Sequence, residues 1–213
     1  MFQNKLFIAD HVKKYATIYL FMLVLFLTGV IFGAVIVNSM SFIQKQDLFF
    51  YLERFFEQIA GSQEFDNEEI LKDSFYYHAK YLVLLFILGL SVVGLPIIWI
   101  LLFLKGLVVG FSVGFIVNRL SLEGLLLASL SIAPQNLVII PIYLIAGSLS
   151  MIFSLTLLNK LFSRRLSKPL VKPLSQYVIV FVLLLAGALL AALIEAYASN
   201  EAMEALIRTF YTK

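Results

Sequence analysis

Three long stretches of the sequence contain no charged residue. They are Ala16 to Val37, Leu82 to Leu104 and Asn136 to Leu158, of 22, 23 and 23 residues. An α-helix rises about 1.5 Å per residue and the hydrocarbon core of a bilayer is about 30 Å thick, so each stretch is long enough to cross a membrane. A fourth stretch, Tyr177 to Ile194, is uncharged over 18 residues and ends at Glu195. The sequence therefore predicts an all-α, polytopic integral membrane bundle.

The composition supports a membrane protein. Of the 213 residues 62% are hydrophobic and 14% are charged, whereas soluble domains have roughly 45–50% apolar and about 25% charged residues. We expect residues 1–213 to form a single membrane domain. The net charge of +3 gives no reason to expect nucleic acid as a partner, and the absence of cysteine excludes disulfides and thiolate metal sites.

The region that follows Lys105 is ambiguous. Gly106 to Asn118 is apolar but has only 13 residues, and Arg119 and Glu123 follow it. It forms either one short span, 106–120, or two half-helices of a re-entrant pair within 106–133.

The distribution of basic residues favours the single span, and hence about five spans at 16–37, 82–104, 106–120, 136–158 and 177–195. The N-terminus and a basic loop at 159–176 are then cytoplasmic, as the positive-inside rule requires. The cytoplasmic segments hold nine basic residues and one acid, Asp10. The nine are Lys5, Lys13, Lys14, Lys105, Lys160, Arg164, Arg165, Lys168 and Lys172.

The loop at 39–81 is extracytoplasmic in this topology and carries eight acids against four bases. Its apolar residues recur at helical spacing, and Asp66 with Glu69 resembles a capping box that begins a second helix. We expect an amphipathic helical hairpin that lies on the membrane surface, docks another protein, or does both. Phe49, Leu52 and Phe56 are the expected docking residues.

Glycines repeat every four residues in two of the predicted spans. Gly29 and Gly33 lie in the first, and Gly106, Gly110 and Gly114 in the third. Such a face lets another helix approach closely. Two interpretations remain open, namely packing within the bundle and an interface with a partner or a second copy of the chain.

Four polar residues lie near membrane depth: Lys105, Gln135, Asn136 and Glu195. Such groups are costly in hydrocarbon. We expect buried hydrogen-bonding groups rather than a transport pathway, with Lys105 at the inner membrane edge. The pattern G-x-S-x-G at 110–114 lies inside an apolar helical stretch with both histidines upstream, so we expect no catalytic, metal-binding or cofactor-binding residue.

Several blocks of the sequence resemble the stage II sporulation protein M family of endospore-forming bacteria. The blocks are Gly29-Val-Ile-Phe-Gly-Ala34, Gln44-Lys-Gln-Asp-Leu-Phe49, Ile87-Leu-Gly-Leu-Ser91 continuing to Gly114, Pro134-Gln-Asn136 and Glu195-Ala-Tyr197.

The resemblance implies a non-enzymatic scaffold of the mother-cell membrane that localises to the sporulation septum. It further implies that the protein acts with stage II sporulation proteins D and P, which degrade peptidoglycan, during engulfment of the forespore. Membrane lipid and a second copy of the chain are the other expected partners. The alternative is a small-solute or ion transporter or channel built on broken helices at 105–141, with a water-filled cavity lined by Gln135 and Asn136.

Overall fold

The computed structural model describes residues 10–60, 66–162, 171–199, 201–203 and 205, and within them the side chains except those at 55, 56, 58–60, 121, 123, 127 and 131. The described part is helical and contains no strand. Its helices are α1 (Ala16–Ser39), α2 (Phe42–Ala60), α3 (Asn67–Gly89), α4 (Gly94–Leu127), α5 (Ala133–Phe162) and α6 (Val171–Leu193). Two π-helical segments, Ala128–Ile132 and Ile194–Ser199, precede α5 and follow α6. The predicted all-α polytopic bundle is confirmed.

Five of these helices alternate in direction through one bundle. α1 and α4 are parallel, because Gly29 lies beside Phe103 and Gly33 beside Leu107. α3 is antiparallel to α4, since Tyr77 contacts Lys105 whereas Tyr81 bonds to Leu101 further back. Contacts of the same kind show that α5 is antiparallel to α4 and that α6 is antiparallel to α3. The end of the bundle at which α1 finishes and α3 begins is where α2 connects them, and we call it the α2 end.

Four helical segments are long and apolar enough to cross a membrane: Ala16–Ser39, Gly94–Leu120, Ala133–Phe162 and Val171–Met203. α3 is the fifth helix of the bundle and packs against α4, α5 and α6. Charged residues occupy its first half, including Glu68, Glu69, Lys72 and Asp73. Residues 81–89 of α3 are apolar, and it packs along the other helices as far as Gly89.

The predicted helix at 82–104 is wrong, because the chain turns in the middle of it. α3 ends at Gly89, residues 90–93 form a turn, and α4 begins at Gly94. A Cβ atom at Gly94 would overlap the carbonyl oxygen of Leu88, so the turn requires glycine there. Pro96 is tolerated in the first turn of α4, where a missing N–H group costs little.

The transporter alternative expects broken helices at 105–141, and the structure has helix through this region instead. The predicted span 106–120 is the second part of α4, which is continuous through Lys105. The helix then bends sharply between Ile116 and Gly124. In a straight helix two residues eight apart are separated by about 12 Å along the axis, whereas here the carbonyl oxygen of Ile116 lies where a Cβ atom on Gly124 would be. α5 then runs through Pro141 without interruption.

The three other predicted spans lie within helices of the structure. Residues 16–37 lie in α1, 136–158 in α5, and 177–195 in α6 and the π-helical segment after it. The described residues of the predicted extracytoplasmic loop, 39–81, belong mainly to α2 and the start of α3. Asp66 caps α3 by accepting a hydrogen bond from the backbone N–H of Glu68 at 2.9 Å. Residues 61–65 of the outer loop and residues 163–170 of the basic loop lie outside the described residues.

An apolar layer fills the bundle at the level where α3, α4 and α5 meet. Leu82, Leu85, Ile98, Leu102, Ile139 and Ala146 are all at most 1% exposed. By contrast, large apolar side chains on the outer faces of α1 and α6 are exposed, as expected of surfaces in contact with lipid.

Candidate functional site

A cluster of polar side chains lies inside the bundle on the α2 side of the apolar layer. Its centre is the carboxylate of Glu195, which the second π-helical segment presents to α3 and α5. Ser74 donates a hydrogen bond to Glu195 Oε2 at 2.5 Å. With its amide nitrogen turned toward the carboxylate, Gln135 donates to both oxygens, at 2.8 and 3.2 Å; the opposite orientation would bring acceptors together. The partly buried carboxylate is therefore held by side chains from two other helices.

His78 lies one helical turn from Ser74 and is only 6% exposed. Its Nδ1 atom is hydrogen-bonded to the hydroxyl of Tyr143 at 2.6 Å. Its Nε2 atom is 3.6 Å from Glu195 Oε2, too far for a hydrogen bond, and has no partner among the described residues. One nitrogen of a buried imidazole is thus left available.

Lys105 lies in the interior of α4 and not at a helix end, where its predicted position at the inner membrane edge would place it. It is in the twelfth position of α4, about 16 Å from the first residue of the helix. Its ammonium donates to the hydroxyl of Tyr77 at 3.2 Å and lies 4.5, 5.0 and 5.7 Å from the ring centres of Tyr77, Tyr143 and Tyr81. Cation–π attraction to three rings explains how a lysine is accommodated at this depth.

These groups line a cavity of about 530 Å³. Lys105 and Glu195 both face it, and within the described part of the chain they form no ion pair with each other. The cavity extends from the first two turns of α3 to Lys105, where Ile139 and Tyr143 of the buried core lie. Its lining residues are Ile70, Asp73, Ser74, Tyr77, His78, Lys105, Val108, Val109, Ser112, Ile132, Gln135, Asn136, Ile139 and Glu195.

The four polar residues predicted from the sequence therefore meet at one cavity. Gln135 and Asn136 line it, as the transporter alternative requires, but the filled apolar layer lies beyond it. Asn136 donates to the carbonyl oxygen of Ile132 at 2.8 Å, within its own helix. The cavity is accordingly a pocket in the α2-side half of the bundle.

The glycines pack α1 directly against α4. A Cβ atom on Gly29 or Gly33 would overlap the carbonyl oxygen of Phe103 or Leu107 of α4. Equivalent atoms on Gly106 and Gly110 would overlap the carbonyl oxygens of Phe26 and Val30. Gly114 is less tightly packed, with the nearest atom 3.4 Å away. Of the two interpretations of these glycines, the structure shows packing within the bundle, and α1 occupies the glycine face of α4.

α2 lies outside the five-helix bundle, and Arg119 of α4 contacts it. Arg119 donates to the carbonyl oxygen of Lys45 at 3.4 Å, and its guanidinium lies 4.8 Å from the ring centre of Phe49. Phe49 and Leu52 are half-buried on this side of α2, and the side chain of Phe56 lies outside those described. Large apolar side chains that are exposed on α2 instead include Phe42, Ile43, Phe50 and Tyr51.

Members of the polar cluster that were not predicted from the sequence include Ser74, His78 and Tyr143. A signal for two of them exists, because Ser74, His78 and Tyr81 are four and three residues apart and therefore lie on one face of α3. Tyr143 lies within an uncharged stretch, and no spacing in the sequence connects it with α3.

The fold and the cluster define a class, namely a polytopic helical membrane protein with a polar pocket in the bundle and an amphipathic helix outside it. Comparison with models of protein families matches residues 22–200 to stage II sporulation protein M. The chain belongs to the stage II sporulation protein M family, and this membership implies a role in sporulation. Comparisons with curated proteins and with solved structures return no significant match.

Proposed function

We propose that the chain is a non-enzymatic membrane scaffold that recruits peptidoglycan-degrading partners and holds them at the septal membrane during forespore engulfment. Stage II sporulation proteins D and P are the partners that the family resemblance suggests. The observation that carries the proposal is the aromatic patch of α2, which we define as Phe42, Ile43, Phe50, Tyr51 and Arg54.

The aromatic patch has the composition of a protein-binding surface. Phe42 is 72% and Tyr51 68% exposed, and the guanidinium of Arg54 lies 4.4 Å from the ring centre of Phe50. Aromatic residues and arginine are enriched at protein interfaces and among the residues that dominate binding energy.

The opposite side of α2 is already used. Leu48, Phe49 and Leu52 are half-buried, and Arg119 contacts this side. The aromatic patch therefore points away from the bundle, and a partner can bind to it without displacing an internal contact.

The proposed orientation places α2 outside the cell. α1 begins, α5 ends and α6 begins at the end of the bundle opposite α2, where Lys13, Lys14, Lys160 and Lys172 lie. The positive-inside rule assigns that end to the cytoplasm. α2 then faces the compartment that contains peptidoglycan.

A paired substitution tests the proposal. In sporulating cells that carry Phe50→Ala and Tyr51→Ala, we expect stage II sporulation protein P to lose its septal localisation and both partners to be lost from detergent co-purification. The matched control is Val182→Ala with Leu183→Ala, two exposed apolar residues of α6. Normal localisation and co-purification with the α2 variant, at normal membrane abundance, would refute the aromatic patch as the docking surface.

A further inference from the structure

The polar cavity continues into an apolar groove. The groove has a volume of about 400 Å³ and runs between α4 and α5. Val109, Ile132 and Asn136 line both the cavity and the groove. The two spaces are therefore adjacent halves of one site, of which one half is charged and the other is almost purely hydrocarbon.

Both π-helical segments lie at this site. Ala128, Ser129 and Ile132 of the first segment line the groove, and Glu195 of the second faces the cavity. The first segment has a local cause, because Pro134 has no N–H group to donate to the carbonyl oxygen of Leu130. π-helices are rare and are frequently found at functional sites. Two π-helical segments therefore lie beside one cavity, an arrangement that is common at functional sites.

The polar half offers both signs of charge. The ammonium of Lys105 and the carboxylate of Glu195 face the same space without pairing with each other in the described structure. The imidazole of His78, which is more than nine-tenths buried, is a third polar group at this cavity, and its Nε2 atom makes no hydrogen bond in the described structure although it lies 3.6 Å from Glu195 Oε2. A zwitterionic ligand complements this arrangement, with its anionic group at Lys105 and its cationic group at Glu195.

The apolar half is open to the surroundings of the bundle. Leu125 and Leu137 line the groove and are 49% and 75% exposed. In a membrane this surface faces lipid, so an alkyl chain can enter from the side while a polar group enters the cavity from the α2 end. Pockets of this size hold molecules the size of a drug or a lipid head group.

We propose that the cavity and groove together bind one zwitterionic glycerophospholipid with an amine in its head group, such as phosphatidylethanolamine. The phosphate lies at Lys105, the ammonium at Glu195, and an acyl chain in the groove. The site is separate from the aromatic patch of α2, and the proposal does not depend on the scaffold function.

Native mass spectrometry of the purified, delipidated full chain tests the proposal. The probes are phosphatidylethanolamine, phosphatidylglycerol, diacylglycerol and glycerophosphoethanolamine. We expect phosphatidylethanolamine to bind most tightly. Phosphatidylglycerol lacks the ammonium, diacylglycerol lacks both charges, and glycerophosphoethanolamine lacks the chains. Equal binding of all three lipids would refute the role of the charged cavity, and equally tight binding of glycerophosphoethanolamine would refute the role of the groove.

Two variants locate the bound lipid. Lys105→Met should weaken phosphatidylethanolamine binding by about tenfold or more, as expected for the loss of one charge-assisted contact. Ala133→Leu places a larger side chain in the groove and should weaken binding of the lipid. The control for the second is Ala186→Leu, at an exposed position of α6. Circular dichroism identifies any variant that does not fold. Unchanged affinity in both folded variants would overturn the proposal, and so would an equal loss with Ala186→Leu.

Discussion

At the scale of single residues, the cluster around Glu195 shows how charge is maintained inside a membrane bundle. A carboxylate in hydrocarbon is costly unless it is hydrogen-bonded. Ser74 and Gln135 supply hydrogen bonds to Glu195, and three tyrosine rings surround Lys105. Lys105, Gln135 and Glu195 can be identified from the sequence, because polar residues are conspicuous in apolar stretches. Their partners depend on how the helices pack, which the sequence does not reveal.

Replacing Ser74 by alanine should destabilise the bundle. The change removes the hydroxyl that donates to Glu195, and hydrogen bonds to charged groups contribute about 1.5–3 kcal/mol. Thermal unfolding in detergent, followed by circular dichroism, measures the effect. The control is Ser39→Ala, because the exposed Ser39 hydroxyl bonds only within α1. Equal midpoints for the two variants would show that the bond to Glu195 contributes little.

At the scale of helices, the contact between α1 and α4 depends on the absence of side chains at four glycines. The spacing of these glycines predicts a close helix contact, and the structure contains one. The sequence could not distinguish a contact within the chain from one between chains, because the same pattern serves both. The helix boundaries were harder to predict. Lys105 interrupts the apolar pattern inside α4, whereas the true turn at 90–93 contains no charge and leaves the apolar pattern uninterrupted.

Two glycine-to-alanine substitutions in α4 should change the free energy of unfolding differently. Alanine is favoured over glycine within helices by about 1 kcal/mol. At Gly114 the new methyl group has room, so we expect a neutral or stabilising effect. At Gly110 it would overlap the carbonyl oxygen of Val30, which moves only if α1 moves. We expect a net loss of about 1–3 kcal/mol, the usual cost of overpacking.

The unfolding midpoints of the two variants, measured in the same detergent, test this contact. Similar midpoints would contradict the close approach of α1 and α4.

At the scale of the whole molecule, the described residues form five helices of one bundle, although only four of them are long and apolar enough to cross a membrane. α3 combines a charged first half with an apolar second half, and its polar face lines the cavity. The sequence predicts about five spans, whereas four of the described helices are long and apolar enough to cross a membrane, and the predicted helix from 82 to 104 does not exist.

The chain contains no cysteine, so single cysteines report topology directly. In protoplasts, a membrane-impermeant maleimide should label Gln46→Cys of α2. It should not label Val93→Cys in the turn after α3, nor Lys172→Cys at the start of α6, until the membrane is opened. Labelling of positions 46 and 93 from the same side would show that α3 does not cross.

Photocrosslinking from the aromatic patch tests the proposed scaffold function most directly. A photoreactive amino acid replaces Tyr51 in sporulating cells, and the same residue replaces Val182 on the outer face of α6 as the control. We expect crosslinks from position 51 to stage II sporulation protein D or P at the septum and none from position 182. Efficient incorporation at position 51 without a crosslink to either partner, or the same crosslinks from both positions, would contradict recruitment through α2.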